Sequence, residues 1–241
     1  VMKKFILPLL LILTVGMLAA VESEPSEVVG YFKISVPVDA WTPVSIPFQI
    51  VDGTVLNIFG GNWACNADYT IADQVVDAYN GATTYYYTGY DWDNTDPLFT
   101  QPGHVYWINR TQSQSDTNMF LLGKVSPQSF TLSMAGQDLG GWSPFAINDA
   151  AGVDPNNLNF IVTEPNWDTS AIDRIVCSND GRTAEYWGAE YGGWNALDGL
   201  PFLIEPAKAY YYYSNQNSSW NWTYNPLPTK SFLNSQSKKV K

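Results

Sequence analysis

The chain has 241 residues, with 12 lysines and arginines against 23 aspartates and glutamates, so its formal net charge is −11. Aromatic residues make up 15% and charged residues also 15% of the chain. This composition excludes an intrinsically disordered protein, because so apolar a chain buries enough surface to offset the entropy cost of ordering. It also lacks the Ala/Glu/Lys/Leu/Arg enrichment of coiled coils and helical bundles. The acidic charge repels phosphate backbones, so we expect no nucleic-acid partner.

The N-terminal residues 1–20 have the layout of a secretory signal peptide. Lys3 and Lys4 precede an apolar run from Phe5 to Leu18, and Ala19–Ala20 follow it. The alternative is a membrane anchor, but the run is shorter than the roughly 20 residues that a spanning helix needs. We therefore expect cleavage near Ala20, no transmembrane segment afterwards, and a secreted, extracellular or cell-surface protein, with the periplasm as the alternative location.

The C-terminal residues 229–241 form a polar, basic tail that we expect to be disordered. Its four lysines have no acidic neighbour within the tail. The alternative is an attachment signal or a segment that docks on anionic surfaces. Without these four lysines and the two at the N-terminus, the charge of −11 becomes −17, so the middle of the chain is strongly acidic.

The chain has only two cysteines, Cys65 and Cys177. After export they can form a disulfide, and the alternative is two separate buried thiols. Two cysteines and one histidine fall short of the four ligands of a structural zinc site. We expect no cofactor.

Comparison of the chain with itself reveals an internal duplication. The segment Trp41–Ile46 (WTPVSI) matches Trp142–Ile147 (WSPFAI), and Pro102–Trp107 (PGHVYW) matches Pro206–Tyr211 (PAKAYY). Further matches occur in the same order at offsets near 100, among them Asp73 with Asp173 and Gly81 with Gly181. This order predicts two homologous units, residues 28–127 and 128–228.

Each unit has the pattern of an all-β fold. Short alternating runs rich in aromatic and β-branched residues are separated by turn signals such as Asn80-Gly81 and Asn179-Asp180-Gly181. We predict two tandem antiparallel β units, each a small barrel or sandwich of five to six short strands. Pro102-Gly103 fits a turn that needs a positive φ at glycine. Tyr106 and Trp107 must face opposite sides of a strand, so we expect one in the core and the other exposed or between the units.

These motifs also resemble a repeat of bacterial secreted and surface proteins, of the general form Gly-Trp-Asn-Leu-Val-Ser-x-Pro followed by x-Pro-Gly-x-Gly-Tyr-Trp-Ile. The first unit carries them at Trp41–Pro47 and Pro102–Ile108. The second unit keeps Gly141-Trp142 but has Ala207 and Tyr211 in place of the glycine and tryptophan. The resemblance implies an all-β extracellular module without established catalytic residues.

Catalysis has little support in the sequence. His104 is the only histidine, and its counterpart in the second unit is Lys208, which indicates a solvated turn position. A carboxylate pair could hydrolyse glycosides, and the candidates by residue type are Glu164, Glu185, Glu190 and Glu205. The recurrence of Asp73 and Asp173 favours a structural role. We therefore predict that the protein is not an enzyme, with a secreted glycoside hydrolase as the weakest alternative.

The segment Asp91–Asp96 (DWDNTD) is the sharpest acidic cluster. Its three carboxylates could bind Ca²⁺, but it lacks the glycine and the distal glutamate of an EF-hand loop. The alternative is a polar hairpin loop, and we assign no metal ligand.

Aromatic residues are the remaining indication of function. Five of them lie in stretches rich in Gly, Asn, Asp and Ser, which we expect to be loops: Trp92, Tyr191, Trp194, Trp220 and Trp222. Exposed aromatic rings in loops can stack on sugar rings. The alternative is that they cover small β cores, as we expect Trp41 and Trp142 to do at their strand starts.

The sequence thus predicts a non-catalytic, secreted or cell-surface β-repeat protein that acts as a structural or interaction module. Its partner would be a surface protein or a polysaccharide. The alternative function is a carbohydrate-binding module that uses the loop aromatics.

Overall fold

The computed structural model describes residues 29–48, 68, 70–87, 91–92, 101–111, 117–124, 128–149, 151–165 and 171–226. The predicted signal peptide (1–20), the basic tail (229–241) and Cys65 lie outside the described residues. So does most of the candidate Ca²⁺ loop, from residue 93 onward.

The described residues form fourteen β-strands and three short 3₁₀ turns. The strands are β1 (Val29–Val36), β2 (Trp41–Ser45), β3 (Gln74–Asp77), β4 (Thr83–Tyr87), β5 (Asp91–Trp92), β6 (Val105–Asn109), β7 (Thr117–Lys124), β8 (Phe130–Met134), β9 (Trp142–Phe145), β10 (Arg174–Cys177), β11 (Thr183–Tyr186), β12 (Trp194–Ala196), β13 (Tyr210–Tyr213) and β14 (Trp220–Tyr224). The 3₁₀ turns are Gln137–Leu139, Pro155–Asn157 and Ala189–Tyr191. The all-β prediction is confirmed.

The strands pair in four antiparallel sheets. In what we call the first half, β1–β7, the orders are β2-β6-β3-β4-β5 and β1-β7. In the second half, β8–β14, they are β9-β13-β10-β11-β12 and β8-β14. Within the described residues no sheet closes into a barrel, so that alternative is wrong, and each half has seven strands rather than five or six. The division into two duplicated units stays a prediction, and the recurring pairing order supports it.

Two equivalent hairpins confirm the predicted turns. Gly81 has a φ of 76° between β3 and β4, and Gly181 has a φ of 74° between β10 and β11. Asn80 Oδ1 accepts a hydrogen bond from the Ala82 amide at 2.8 Å, and Asp180 Oδ1 accepts one from the Arg182 amide at 3.0 Å. An Asx side chain thus fixes each turn, as the sequence indicates.

Each half has its own apolar core, because alternate residues of its strands point inward. The first-half core is built on Val44, Val75, Tyr86, Tyr106, Ile108 and Leu121. The second-half core is larger and more aromatic, with Phe145, Phe160, Tyr210, Tyr212, Trp222 and Tyr224 among its residues. A third, small cluster of Val105, Ala146 and Ala209 belongs to both halves. We call the contact around this cluster the seam.

The recurring aspartates support the core loops, as predicted. Asp173 Oδ2 accepts hydrogen bonds from the Thr163 amide at 2.7 Å and the Tyr212 hydroxyl at 2.9 Å. Asp73 Oδ1 accepts one from the Thr111 amide at 2.8 Å. Both carboxylates are fully buried, and their role is structural.

Cys177 is a free thiol, only 2% exposed, in the second-half core. Its predicted disulfide partner, Cys65, lies outside the described residues, so the structure describes Cys177 alone, as a buried thiol. Burial raises the pKa of this thiol, which keeps it protonated at neutral pH.

Among the described residues, no helix has the length and apolar character needed to cross a membrane.

Candidate binding surface

The outward face of the second-half sheet carries one row of side chains, with one residue from each of its five strands. Neighbours in the row are directly opposed in the strand registers. In spatial order the row consists of Trp142, Tyr213, Arg174, Glu185 and Asn195. At the usual spacing of about 4.8 Å between strands, the row is roughly 19 Å long. We call it the second row.

Two aromatic rings in contact, tilted by 46° to each other, form one end of the second row. Trp142 is 46% exposed although it begins strand β9. Its ring centroid lies 4.9 Å from that of Tyr213 on β13. The pair therefore offers a broad apolar surface to solvent, with the indole N–H and the phenol hydroxyl at its edges.

Polar side chains form the middle and the far end of the second row. Arg174 Nε donates a hydrogen bond to Glu185 Oε1 at 2.8 Å, so the two charges cancel. Asn195 Nδ2 donates to the carbonyl oxygens of Gly193 at 3.0 Å and Tyr191 at 3.3 Å. These contacts hold the Asn195 side chain against the turn that carries Tyr191, whose ring is 52% exposed.

Trp187 adds a third aromatic ring to the same face. Trp187 directly follows the last residue of β11, and the alternation that turns Thr183 and Glu185 outward continues to it. It is 40% exposed, whereas its inward neighbour Tyr186 is buried.

The first half carries a related outward row, which we call the first row. The registers place Trp41 opposite Asn109, Asn109 opposite Gln74, and Gln74 opposite Tyr85. Trp41 occupies the position equivalent to Trp142 and is 47% exposed. This row therefore has an aromatic ring at each end and two amide side chains between them.

Both rows have the chemistry that pyranose rings require. An aromatic face packs on the apolar C–H face of a sugar, while amide and guanidinium groups hydrogen-bond its hydroxyls. The first row has no ionisable group except the Tyr85 phenol, and the second row has a neutral ion pair. The arrangement can bind an uncharged polyhydroxylated chain.

The five aromatic residues that the sequence predicts for binding differ in their exposure to solvent in the structure. Trp222 and Trp194 are wrongly predicted as loop residues, since they lie on β14 and β12 and are only 1% and 8% exposed. Trp222 Nε1 donates to the Leu158 carbonyl at 2.7 Å, which fixes it in the core. Trp220 also lies on a strand, β14, and is partly buried beside Tyr212 and Phe160.

The other two candidates have different positions. Tyr191 lies in the 3₁₀ turn next to Asn195 and is exposed, as a binding residue requires. Trp92 lies on β5 rather than in a loop, and its side chain lies outside the described part of the chain.

Sequence reasoning missed the two row tryptophans as binding residues. Trp41 and Trp142 were expected to cap cores, but both point outward, so that expectation is wrong. Trp41 is on the opposite face of β2 from the core residue Val44. Pro43 and Ser45 share the face of Trp41 but are buried, so the short motif alone does not reveal that the ring is exposed.

His104 is buried at 9% exposure, so its prediction as a solvated turn residue is wrong. Its Nδ1 lies 2.7 Å from Asp77 Oδ2, and its ring centroid lies 4.5 Å from that of Tyr79. The Tyr79 hydroxyl accepts a hydrogen bond from the Ser133 amide of the second half at 2.7 Å. These contacts place His104 within the packing between the halves.

A cleft of about 590 Å³ opens in the second half, between the turn at Asn156 and the strands β11 and β12. Tyr186 and Trp194 line it from the inward side of these strands, opposite the second row. Burial and then the charge of Glu164 raise the pKa of Tyr186, so its phenol stays protonated at neutral pH. The cleft is thus separate from the row.

Comparison with known proteins gives no relative from which a function could be inferred. No protein-family model, curated protein or solved structure matches the chain. The resemblance of its motifs to a bacterial surface-protein repeat therefore stays a prediction.

Proposed function

We propose that the protein is a non-catalytic, polysaccharide-binding interaction protein of the cell exterior, and that each half binds sugar with its outward row. One observation carries the proposal: equivalent tryptophans at the starts of β2 and β9 are exposed to almost the same extent, 47% for Trp41 and 46% for Trp142. A large aromatic side chain in such a position gives up about half of the burial energy that a core position would provide. Its exposure in both halves is explained by a ligand.

The composition of the rows favours sugar over other ligands. Aromatic rings lie at the ends of the rows, and planar amide, guanidinium and carboxylate groups lie beside them along straight lines of directly opposed residues. An extended chain of pyranose rings could contact several of these groups in succession. The net charge of −11 opposes binding of polyanions, so a neutral polysaccharide fits best.

The location outside the cell rests on the N-terminal sequence. Lys3-Lys4, the apolar run and Ala19-Ala20 have the pattern of a cleaved signal peptide. Polysaccharides of cell walls, capsules and matrices are found on that side of the membrane. N-terminal sequencing of the protein recovered from the culture medium or envelope should begin after Ala20.

Binding is tested with the secreted chain on a glycan array and by sedimentation with insoluble neutral polysaccharides. We expect Trp41→Ala and Trp142→Ala each to weaken binding about tenfold, the scale of losing one aromatic stacking contact. Tyr31→Ala is the matched control, since Tyr31 is 70% exposed on a different sheet. An array without any positive glycan would contradict the proposal.

A surface protein as partner is the second candidate, and the outer face of β1 and β7 favours it. Tyr31 and Phe120 are 70% and 56% exposed there. The equivalent face of β8 and β14 is polar instead, with Thr131 hydrogen-bonded to Thr223 at 2.9 Å. If Tyr31→Ser and Phe120→Ser release the protein from the surface of its own cells while the row variants do not, this candidate replaces the first.

A further inference from the structure

The seam joins the two halves at corresponding ends of their five-stranded sheets. Val105 at the start of β6, Ala146 just after β9 and Ala209 just before β13 are at most 2% exposed and pack together. Small side chains at all three positions let the backbones approach closely.

The contacts across the seam are reciprocal. The Ser45 amide donates to the Ala207 carbonyl at 3.3 Å, and the Ala146 amide donates to the Gly103 carbonyl at 2.9 Å. Ser45 matches Ala146 in the internal alignment, and Gly103 matches Ala207. Equivalent donors and acceptors thus exchange hydrogen bonds, as in an isologous two-fold interface.

A side-chain contact adds to this relation. Trp107 Nε1 donates to the Tyr211 hydroxyl at 2.9 Å. These two residues are also equivalent, and they lie on the outward faces of β6 and β13. The seam therefore fixes the two sheets relative to each other through matching positions.

The two rows lie at the strand ends that point away from the seam. Strand β2 runs from Trp41 in the first row to Ser45 at the seam, and β9 runs from Trp142 in the second row towards Ala146. Ser45 and Ala146 lie four positions along the strand from Trp41 and Trp142, about 13 Å. The outward contact of Trp107 with Tyr211 comes closer, since these residues lie two positions, about 7 Å, from Asn109 and Tyr213 in the rows. A pseudo-two-fold relation across the seam makes the rows two separate sites on opposite sides of it.

We infer that the protein is bivalent and cross-links neutral polysaccharide chains, with one chain bound by each row. This inference rests on the proposed sugar binding by each row and adds the fixed separation of the two sites and the cross-linking that follows from it. A rigid link between two weak sites raises the avidity for a polymer, whereas each site alone binds a short oligosaccharide independently.

Two measurements on the secreted chain test bivalency. Calorimetry with a short oligosaccharide taken from the array should give two sites for the wild type, one measurable site each for Trp41→Ala and Trp142→Ala, and none for the double variant, because a tenfold loss takes a weak site out of the measurable range. Light scattering with the corresponding long soluble polymer should show growing aggregates with the wild type and Tyr31→Ala, but none with either single variant. Gln74→Ala and Arg174→Ala provide a second variant in each row, and urea denaturation verifies that all variants are folded.

Each result has a distinct meaning. One oligosaccharide site in the wild type, lost entirely in one single variant, overturns bivalency and leaves sugar binding at one row. Two sites without aggregation of the long polymer overturn cross-linking, because one chain then spans both rows. No binding of any glycan by the folded wild type refutes the proposed function itself.

Discussion

Trp222 and Trp142 belong to the same half, but the first is buried in the core and the second is exposed on the outward face. Trp222 is 1% exposed, and its indole donates to the Leu158 carbonyl at 2.7 Å, whereas Trp142 is 46% exposed. Trp222→Phe leaves that buried carbonyl without its donor and opens a cavity, so we expect a loss of about 2–4 kcal/mol in unfolding free energy. Urea denaturation followed by circular dichroism measures it.

Trp142→Phe is the matched control for that substitution. This substitution removes the same atoms from a half-exposed ring, so the loss in unfolding free energy should stay within about 0.5 kcal/mol. Equal losses for the two variants would mean that the outward position of Trp142 is wrong.

Asp173 predicts a pH dependence of stability. Burial is the largest influence on its carboxyl and raises its pKa, outweighing the opposing hydrogen bonds from Thr163, Asn215 and Tyr212. The folded state therefore holds this proton more tightly than the unfolded state, whose carboxyl titrates near 3.8. Its contribution to stability is full below that value and is lost as pH rises through the raised folded pKa.

The test compares the wild type with Asp173→Asn, which cannot titrate at this position. We expect the difference in unfolding free energy, wild type minus variant, to fall as pH increases from about 3.8 to neutrality. Urea denaturation at one-unit pH steps gives this difference. If the difference instead grows with pH, the pKa of Asp173 is lowered, and its hydrogen bonds outweigh burial.

At the scale of elements, the turn before β6 and its equivalent before β13 use different residues for one backbone conformation. Gly103 has a φ of 85°, as its Pro-Gly sequence predicts, and Ala207 has a φ of 63°. A non-glycine residue pays about 1–2 kcal/mol in this left-handed region. Ala207→Gly should therefore stabilise the protein by about 0.5 kcal/mol, after the greater unfolded-state entropy of glycine is subtracted.

The reverse change should be much more costly. In Gly103→Ala the new methyl group would lie 2.8 Å from Cζ of Phe130, and the backbone strain adds to this overlap. We expect a loss of about 2–4 kcal/mol in unfolding free energy. Gly81→Ala separates the two causes, since Gly81 has a φ of 76° and nothing within 4 Å of the added carbon. If Gly103→Ala loses no more unfolding free energy than Gly81→Ala, Gly103 is not tightly packed on Phe130.

Short sequence motifs predicted the strands and turns. They did not predict which strands pair or which face of each strand is buried. The Asn-Gly turn at Gly81 and the alternation around Tyr106 need only neighbouring residues, and both predictions are confirmed. By contrast, Phe32 pairs with Leu121, far along the chain. Trp222 lies in a Ser/Asn-rich stretch that imitates a loop, and only its pairing with Leu132 on β8 makes it a core residue. Long-range pairing thus decides which tryptophans are free to bind, and no short motif records it.

At the scale of the whole molecule, the seam determines whether the halves act as one body. Its apolar part is small, but equivalent backbone groups reinforce it by exchanging hydrogen bonds, and Tyr79 and Trp107 add side-chain contacts across it. We therefore expect the wild type to unfold in a single cooperative transition, although each half has a core of its own.

Ala146→Leu tests this coupling directly. Ala146 is 2% exposed against Val105 and Ala209, so three added carbons cannot fit without forcing the sheets apart. We expect two separate transitions in urea, because each half keeps its own core while the seam opens. Ala189→Leu is the matched control, the same substitution at an exposed position, and should preserve the single transition. If Ala146→Leu also unfolds in one step with an unchanged urea dependence, the halves are not coupled through this seam, and the fixed separation on which cross-linking depends loses its physical basis.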